Sequence, residues 1–304
     1  MSGFRLPLEA DCWLPYVQAY VQAYELGARL SSEPAGTSPS PCEIRDGLGE
    51  TPLVVLCSPH PDDEMLTGAL PLRMRRELGA RVVNVAVTLG SDRSRQDSRW
   101  QELQAACTLA GFECRQLALP LGFNLKAGQL DPGWQDAVQA LADVFAGLSP
   151  DLVVLPHAED HHPAHVATHG LVTAALASST AFGAAVTAVE TEYWRPMAAP
   201  NLLVGLGLQD LAWQLAALAC HRGEIERNPY HLTQPARMMD TVRRGAELVK
   251  GGGPGRPGFL FGELYRLVRW QQGKEQIMTG GLGWVGPEQG LETMIQGIAP
   301  WTSR

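Results

Sequence analysis

Between residues 53 and 194, short runs rich in valine and leucine alternate with stretches of helical periodicity, and this alternation restricts the fold more than any other feature of the chain. Runs at 53–57, 81–89, 114–119, 151–156 and near 186–194 have the apolar, β-branched character of buried strands; 65–78, 97–110, 132–147 and 164–179 have the spacing of helices. Strands separated by a helical stretch form βαβ units, and their right-handed crossovers lay the strands down side by side in parallel. The expected architecture is α/β: a Rossmann-like three-layer sandwich with a mostly parallel sheet, in which the first and fourth strands are neighbours. No G-x-G-x-x-G follows the first strand, which argues against a dinucleotide site despite the fold.

Around this core the pattern is looser. Residues 12–30 contain a local repeat, Val17-Gln18-Ala19-Tyr20 and Val21-Gln22-Ala23-Tyr24, which predicts a helix with Tyr20 and Tyr24 on one face, packed on the main body or on a second subunit. Ser31 to Pro41 has the composition of a linker. The chain is accordingly divided into an N-terminal helical extension and linker (1–49), a main domain (50–230) and a C-terminal segment packed on the same domain (231–304). Leu208 to Glu226 is expected to be one long helix, 228–246 is mixed, Lys250 to Gly258 is a flexible loop, and 259–270 is an ordered amphipathic segment. The Tyr-bearing helix, with Trp284 and Trp301, offers the contact surfaces a homo-oligomer would use.

Composition narrows the partners. The 24 basic residues are outnumbered by 32 acidic ones, for a net charge of −8, and no basic run is long enough to grip a polyanion. Nucleic acid and anionic membrane are therefore not expected as partners. The first residues lack a basic region followed by an apolar core, and no uncharged apolar stretch reaches bilayer length, so a cytoplasmic location is expected. Six cysteines, at 12, 42, 57, 107, 114 and 220, show no C-x-x-C spacing and suit buried thiols better than a disulfide framework or a zinc knuckle.

Chemistry concentrates at two places. Cys57 to Glu64 joins the first strand to the first helix and brings His60, Asp62, Asp63 and Glu64 within a few positions. Imidazole and carboxylate together suit zinc and leave a neighbouring carboxylate free as a base. The alternative is that Asp62 caps the helix while Asp63 and Glu64 complement its dipole. The second place follows the fourth strand, at Pro156 to His165. In an open parallel sheet ligands bind beyond the carboxyl ends of the strands at the switch point, where both clusters fall. His60, Asp63 and His165 could supply three zinc ligands from two loops and leave one position open. Pro163 suits the first turn of a helix, which sets His165 near its start and points His162 into the cleft. His169, one helical turn beyond His165, is a second candidate ligand; His157 and His161 rank below it.

These residues carry a resemblance. Pro59-His60-Pro61-Asp62-Asp63-Glu64 is similar to the (A/P)HPDDE motif, and His162-Pro163-Ala164-His165 to the HPDH motif, of the PIG-L/LmbE family of zinc-dependent de-N-acetylases. Thr88-Leu89-Gly90 and the Arg99-Trp100-Gln101-Glu102 stretch, similar to the family's R-x-x-E, agree with it; Glu192 to Pro196 and the helix ending near His221 are looser echoes. Ala164 stands where the family usually has Asp, and Cys220-His221-Arg222-Gly223 stands in place of His-x-Ser-Gln. The resemblance implies one zinc ion per chain held by His60, Asp63 and His165, with Asp62 as general base and a protonated His162 as electrophilic partner. It implies an N-acylated amino sugar or sugar conjugate as substrate. Arg99 would then hydrogen-bond sugar hydroxyls, unless it forms a surface ion pair with Glu102. Two other readings stay open: a metal-dependent phosphoesterase using the same crevice, which would need a second metal site, and a non-catalytic metal-binding protein, which His169 would complete as a fourth ligand.

Overall fold

The computed structural model describes residues 10–32, 51–178, 185–249, 255–271, 273–278 and 282–298. Cys42, Trp301, most of the expected linker and the first part of the expected 250–258 loop lie outside the described residues. In chain order the elements are α1 (Ala10–Ser32), β1 (Leu53–Ser58), α2 (Asp63–Leu66), α3 (Ala69–Leu78), β2 (Arg81–Ala86), α4 (Gln96–Ala110), β3 (Glu113–Gln116), α5 (Trp134–Leu148), β4 (Leu152–Pro156), α6 (Pro163–Ser178) and β5 (Val186–Thr191). They continue with β6 (Leu202–Leu206), α7 (Leu208–Leu218), α8 (Arg222–Ile225), α9 (Tyr230–Leu248), β7 (Phe261–Gln271), β8 (Lys274–Ile277), β9 (Gly283–Val285) and α10 (Glu292–Ile298).

The strands join one sheet in the order β3-β2-β1-β4-β5-β7-β6-β9, with β8 paired to the end of β7. From β3 through β5 all neighbours are parallel, and β1 lies between β2 and β4, with Val54 opposite both Val82 and Leu152. The sheet is mixed beyond that point because β7 runs antiparallel to both β5 and β6. Strand β1 is buried along its whole length. It can be so because its side chains alternate between two cores. Val54 and Leu56 pack with Leu66, Leu70, Leu103 and Leu218 on one face. Val55 and Cys57 pack with Leu141, Phe145, Leu171 and Val172 of α5 and α6 on the other. The expected α/β layering, with the first and fourth strands adjacent, is the architecture observed.

The helix expected over 65–78 is two. Pro71 has no N–H to give and would crowd the carbonyl of Thr67 inside a continuous helix; a break at Thr67-Gly68 puts it in the first turn of α3 instead. Gly68 makes that break close enough to work, since a Cβ there would sit 2.2 Å from the Glu64 carbonyl oxygen. The long helix expected from Leu208 stops at Leu218 and resumes only as the short α8, while the mixed stretch after 228 is the single helix α9. The amphipathic segment 259–270 is the eleven-residue strand β7. Helix α1 touches α9 where Gly27 meets Leu232, but Tyr20 and Tyr24 remain about half exposed (51% and 49%) rather than packed on the main body. Of the cysteines described, no two form a disulfide; Cys57 and Cys107 are buried, whereas Cys12 is exposed, contrary to expectation.

One buried cation joins the first half of the sheet to the last. Arg73 of α3 is fully buried, donating through Nη1 to the carbonyls of Gly205 (2.8 Å) and Gly286 (3.1 Å), through Nη2 to Gln289 (2.7 Å), and through Nε to Glu77 (2.6 Å). Replacing it leaves those acceptors without their donor, the buried carbonyls of Gly205 and Gly286 among them. Arg73→Met, which keeps most of the stem volume, is expected to lower the unfolding free energy by roughly 3–5 kcal/mol, read as a fall in the urea midpoint.

Candidate active site

The motif loop leaves β1 at Ser58, whose hydroxyl donates to Asn84 Oδ1 (2.6 Å) on the neighbouring strand. Asp62 precedes α2 but caps nothing: its side chain makes no capping hydrogen bond, and its backbone sits at φ 113°, ψ −31°. Its carboxyl is therefore free of the structural role that the capping alternative assigns to it. Asp63 and Glu64 turn back on the loop, Asp63 Oδ2 accepting from the His60 N–H (2.9 Å) and Glu64 Oε2 from the Asp62 N–H (2.9 Å).

The second loop is shaped by Asp160, a residue that sequence reasoning missed. Its Oδ1 accepts from the His162 N–H (2.8 Å), its Oδ2 accepts from the Trp194 N–H (3.3 Å), and Oδ2 lies 3.5 Å from His165 Nδ1. With Nδ1 turned to Asp160, His165 presents Nε2 to Asp63 Oδ1 at 3.3 Å. Asp63 Oδ2 lies 3.4 Å from His60 Nδ1, so one carboxylate reaches an imidazole from each loop. His162 completes the cluster, its ring centred 5.1 Å from each of the other two, and one nitrogen from each of His60, His162 and His165 falls within 4.8 Å of the others. Among the described residues this is the one group of three or more such side chains with the geometry to hold a metal ion. His162 Nδ1 is buried and has no hydrogen-bond partner among the described residues. Imidazole nitrogens around a carboxylate are a donor set that fits zinc.

Burial raises the Asp62 carboxyl well above the ordinary range, and the adjacent charges of Asp63 and Glu64 push the same way against the opposing Arg99. At Asp63 burial also works upward, but His165 and His60 outweigh it and hold the group ionised below the usual range. At His165 burial works downward, yet the charge of Asp63 and the bond to Asp160 draw it up to about 10. Burial, then His60 and His165, push His162 down to about 4.

A cleft of about 210 Å³ opens above the cluster, with Asp62 and Arg99 on one side and Lys126, Trp194, Glu224 and Tyr230 around the rest. Arg99 pairs with Glu224 (3.3 Å), not with Glu102, and its Nη2 donates to the Pro61 carbonyl (3.0 Å). Gly90 makes room for it: φ is +89°, and a Cβ there would lie 2.4 Å from Arg99 Nη1. Glu102 instead accepts from the Gly223 N–H (3.0 Å), tying α4 to α8. His169 is turned away, its Nδ1 3.0 Å from the Pro156 carbonyl oxygen; His157 engages the Arg195 carbonyl, and His161 is exposed. The Trp194 indole stacks on His162 (centroids 6.0 Å apart, planes at 27°) with Tyr230 edge-on to it. Beneath the loop, fully buried His221 bonds Glu64 through Nε2 and Oε1 at 2.6 Å. Glu224, Tyr230 and this pairing of His221 carried no signal in sequence, because each depends on where α8 and α9 fold back.

The match to other proteins covers this region. The model of the family described as GlcNAc-PI de-N-acetylase (PIG-L) matches residues 55–176. The 1D-myo-inositol 2-acetamido-2-deoxy-alpha-D-glucopyranoside deacetylases of two Mycobacterium leprae strains are 32% identical over 161 residues, 43% of this chain and 52% of theirs, so the similarity spans about half the length of these relatives. Among solved structures, the N,N'-diacetylchitobiose deacetylase of Pyrococcus horikoshii has a TM-score of 0.55 at 16% identity, covering 89% of this chain and 96% of that one. A 4-carboxy-2-hydroxymuconate hydratase of Pseudomonas putida has a TM-score of 0.54 at 17% identity, covering 71% and 96%. These two structures share the fold and differ in reaction. The stretch that matches the PIG-L family model, residues 55–176, contains both histidine-bearing loops and the Asp62-Asp63 pair.

Proposed function

We propose that this protein is a zinc-dependent hydrolase that removes the N-acetyl group from an acetylated amino sugar or sugar conjugate. The observation that carries this reading is the convergence of His60, Asp63, His162 and His165 beside an uncapped, buried Asp62 at the floor of an open cleft. The similar M. leprae deacetylases are named for a 2-acetamido-2-deoxy sugar linked to inositol, which supports the substrate class.

His60, Asp63 and His165 would hold the zinc ion, one per chain, with Asp160 orienting His165 from behind. Zinc in such a site supplies a Lewis acid that activates water and polarises an amide carbonyl. Asp62 takes the proton from the attacking water and passes it to the departing amine, a role open to it because its carboxyl is not spent on a cap. The His162 N–H stabilises charge developing on the carbonyl oxygen. Arg99 Nη2 is committed to Pro61 and Glu224, so contact with sugar hydroxyls falls to Nη1. Of the competing readings, a closed structural site would recruit His169, which is turned to Pro156 instead. A two-metal phosphoesterase would need a second ligand cluster, and among the described residues the group of His60, His162 and His165 is the one with metal-holding geometry. Among the described residues no helix is long and apolar enough to cross a membrane, and the buried free thiols of Cys57 and Cys107 support the cytoplasmic location expected from sequence.

Acetate release from a panel of 2-acetamido sugars tests the reading, and Asp62→Asn is expected to lower it by about 10²–10⁴-fold while zinc content is unchanged. An Asp62→Asn protein with undiminished turnover would remove Asp62 from the reaction. Elemental analysis separates the histidines: His165→Ala should lose zinc, whereas His162→Ala should keep zinc and lose kcat. Loss of zinc from His162→Ala would make the three imidazoles the ligand set.

A further inference from the structure

The Pro61–Asp62 peptide is gripped at both ends. Its carbonyl oxygen accepts from Arg99 Nη2 (3.0 Å), and its N–H donates to Glu64 Oε2 (2.9 Å). Glu64 is itself fully buried, and its other oxygen lies 2.6 Å from Nε2 of His221, also fully buried. The peptide so held leads into Asp62 at φ 113°, a conformation that residues with a Cβ rarely adopt and one of two positive-φ positions outside glycine among the described residues. The other, Ser149, lies at the end of α5 and far along the chain from the loop. A backbone in such a conformation persists only where its surroundings over-determine it, and here the surroundings are three side chains from three separate parts of the chain.

We propose that Glu64, seated by His221, and Arg99 form a two-ended clamp that positions Asp62, so that Glu64 and His221 are positioning residues for the reaction although neither touches substrate. The proposal rests on the deacetylase reading for its catalytic consequence, but its structural half stands apart from that reading. The logic is local. Without the clamp, rotation about the Pro61–Asp62 peptide relieves the strain and swings the Asp62 carboxyl away from the cluster beside it. Asp63, one residue later, is held separately by the His60 N–H and the two imidazoles, so metal binding is spared.

Two measurements test this. The first reads the backbone without any substrate, by comparing the thermal midpoints of Asp62→Gly and Asp62→Ala. With Glu64 in place, Asp62→Gly should be the more stable, because only glycine is at ease at φ 113°; in a Glu64→Met background, which removes the acceptor for the Asp62 N–H at similar volume, the order should reverse, as the peptide relaxes and glycine's extra chain entropy becomes the deciding factor. An unchanged preference for glycine in the Glu64→Met background, or none in either, would overturn the clamp. The second uses zinc-loaded protein and the inositol-linked 2-acetamido-2-deoxyglucoside. Glu64→Met should lower kcat on the order of 100-fold with KM and zinc content unchanged. His221→Leu should do the same, and His221→Gln, which keeps a donor for Glu64, should restore much of the rate. Wild-type kcat in Glu64→Met or His221→Leu would overturn the positioning role. If Glu64→Met does not fold, the His221→Leu and His221→Gln pair carries both comparisons. Should the glycine-alanine order reverse as expected while the wild-type enzyme releases no acetate, the clamp stands and the deacetylase reading fails.

Discussion

A single carboxylate ties the two halves of the site together. Asp63 lies between His60 of its own loop and His165 of the loop after β4, within 3.4 Å of a nitrogen on each. A carboxylate buried in this way costs several kcal/mol in lost hydration unless it is paired, so the two loops cannot separate without exposing that cost. The pairing in turn depends on β1 and β4 being neighbours in parallel register, which places both loops at the same edge of the sheet. The order of the parallel strands thus has its chemical expression at Asp63, and the cleft, the imidazole cluster and the free carboxyl of Asp62 are arranged around it.

Much of this arrangement is legible in the sequence because it rests on short-range patterns. Valine-rich runs at regular intervals give the parallel strands, the crossover rule gives their order, and the order brings His60 and His165 to one crevice. What the sequence hides are the residues that act at long range. Asp160 is one among several polar residues in its loop, and nothing in its neighbourhood marks it as the partner of His165 Nδ1. Strand β7 carries charged residues at every third position, Glu263, Arg266 and Arg269, a spacing closer to a helix than to a strand, and only its place between β5 and β6 decides the matter. The break in the 65–78 stretch is local by contrast: Pro71 favours a helix start before it, and Gly68 permits the close turn there, although a proline alone does not decide it, since Pro235 sits inside the continuous α9.

The cost of that break is met from the far end of the chain. A four-residue helix such as α2 leaves most of its carbonyls without internal partners. At its end donors come from three different elements: Met65 takes one from Gln214 of α7 (2.6 Å), Leu66 from Gln234 of α9 (2.8 Å), and Thr67, just past the helix, from the hydroxyl of Tyr265 on β7 (3.1 Å). Glu263 binds the next segment by accepting from the Ala69 N–H (3.0 Å) and from Gln214 (2.9 Å). The residues after 200 therefore hold the piece of backbone on which Asp63 and Glu64 are mounted. Their lack of obvious motifs reflects that task, since supporting a loop calls for amides, hydroxyls and a carboxylate at the right distances rather than at a fixed spacing in sequence.

The same dependence explains why the scaffold alone does not name the reaction. A hydratase and a deacetylase both superpose on this fold, so the parallel sheet and its switch-point crevice are common ground. Separation of the chemistries must come from the groups mounted there. In this chain they are a carboxylate shared by imidazoles from two loops, beside a second carboxyl that is buried, released from capping and held in an unfavourable backbone conformation. The first feature suits a divalent ion and the second a proton transfer, and an amide hydrolysis needs both at one point. The cleft walls then set the choice of substrate, and here they differ in kind: Arg99 and Glu224 face one way as a fixed ion pair, while Trp194 and Tyr230 offer aromatic surface. A ligand held there meets a charged pair and aromatic surface at once.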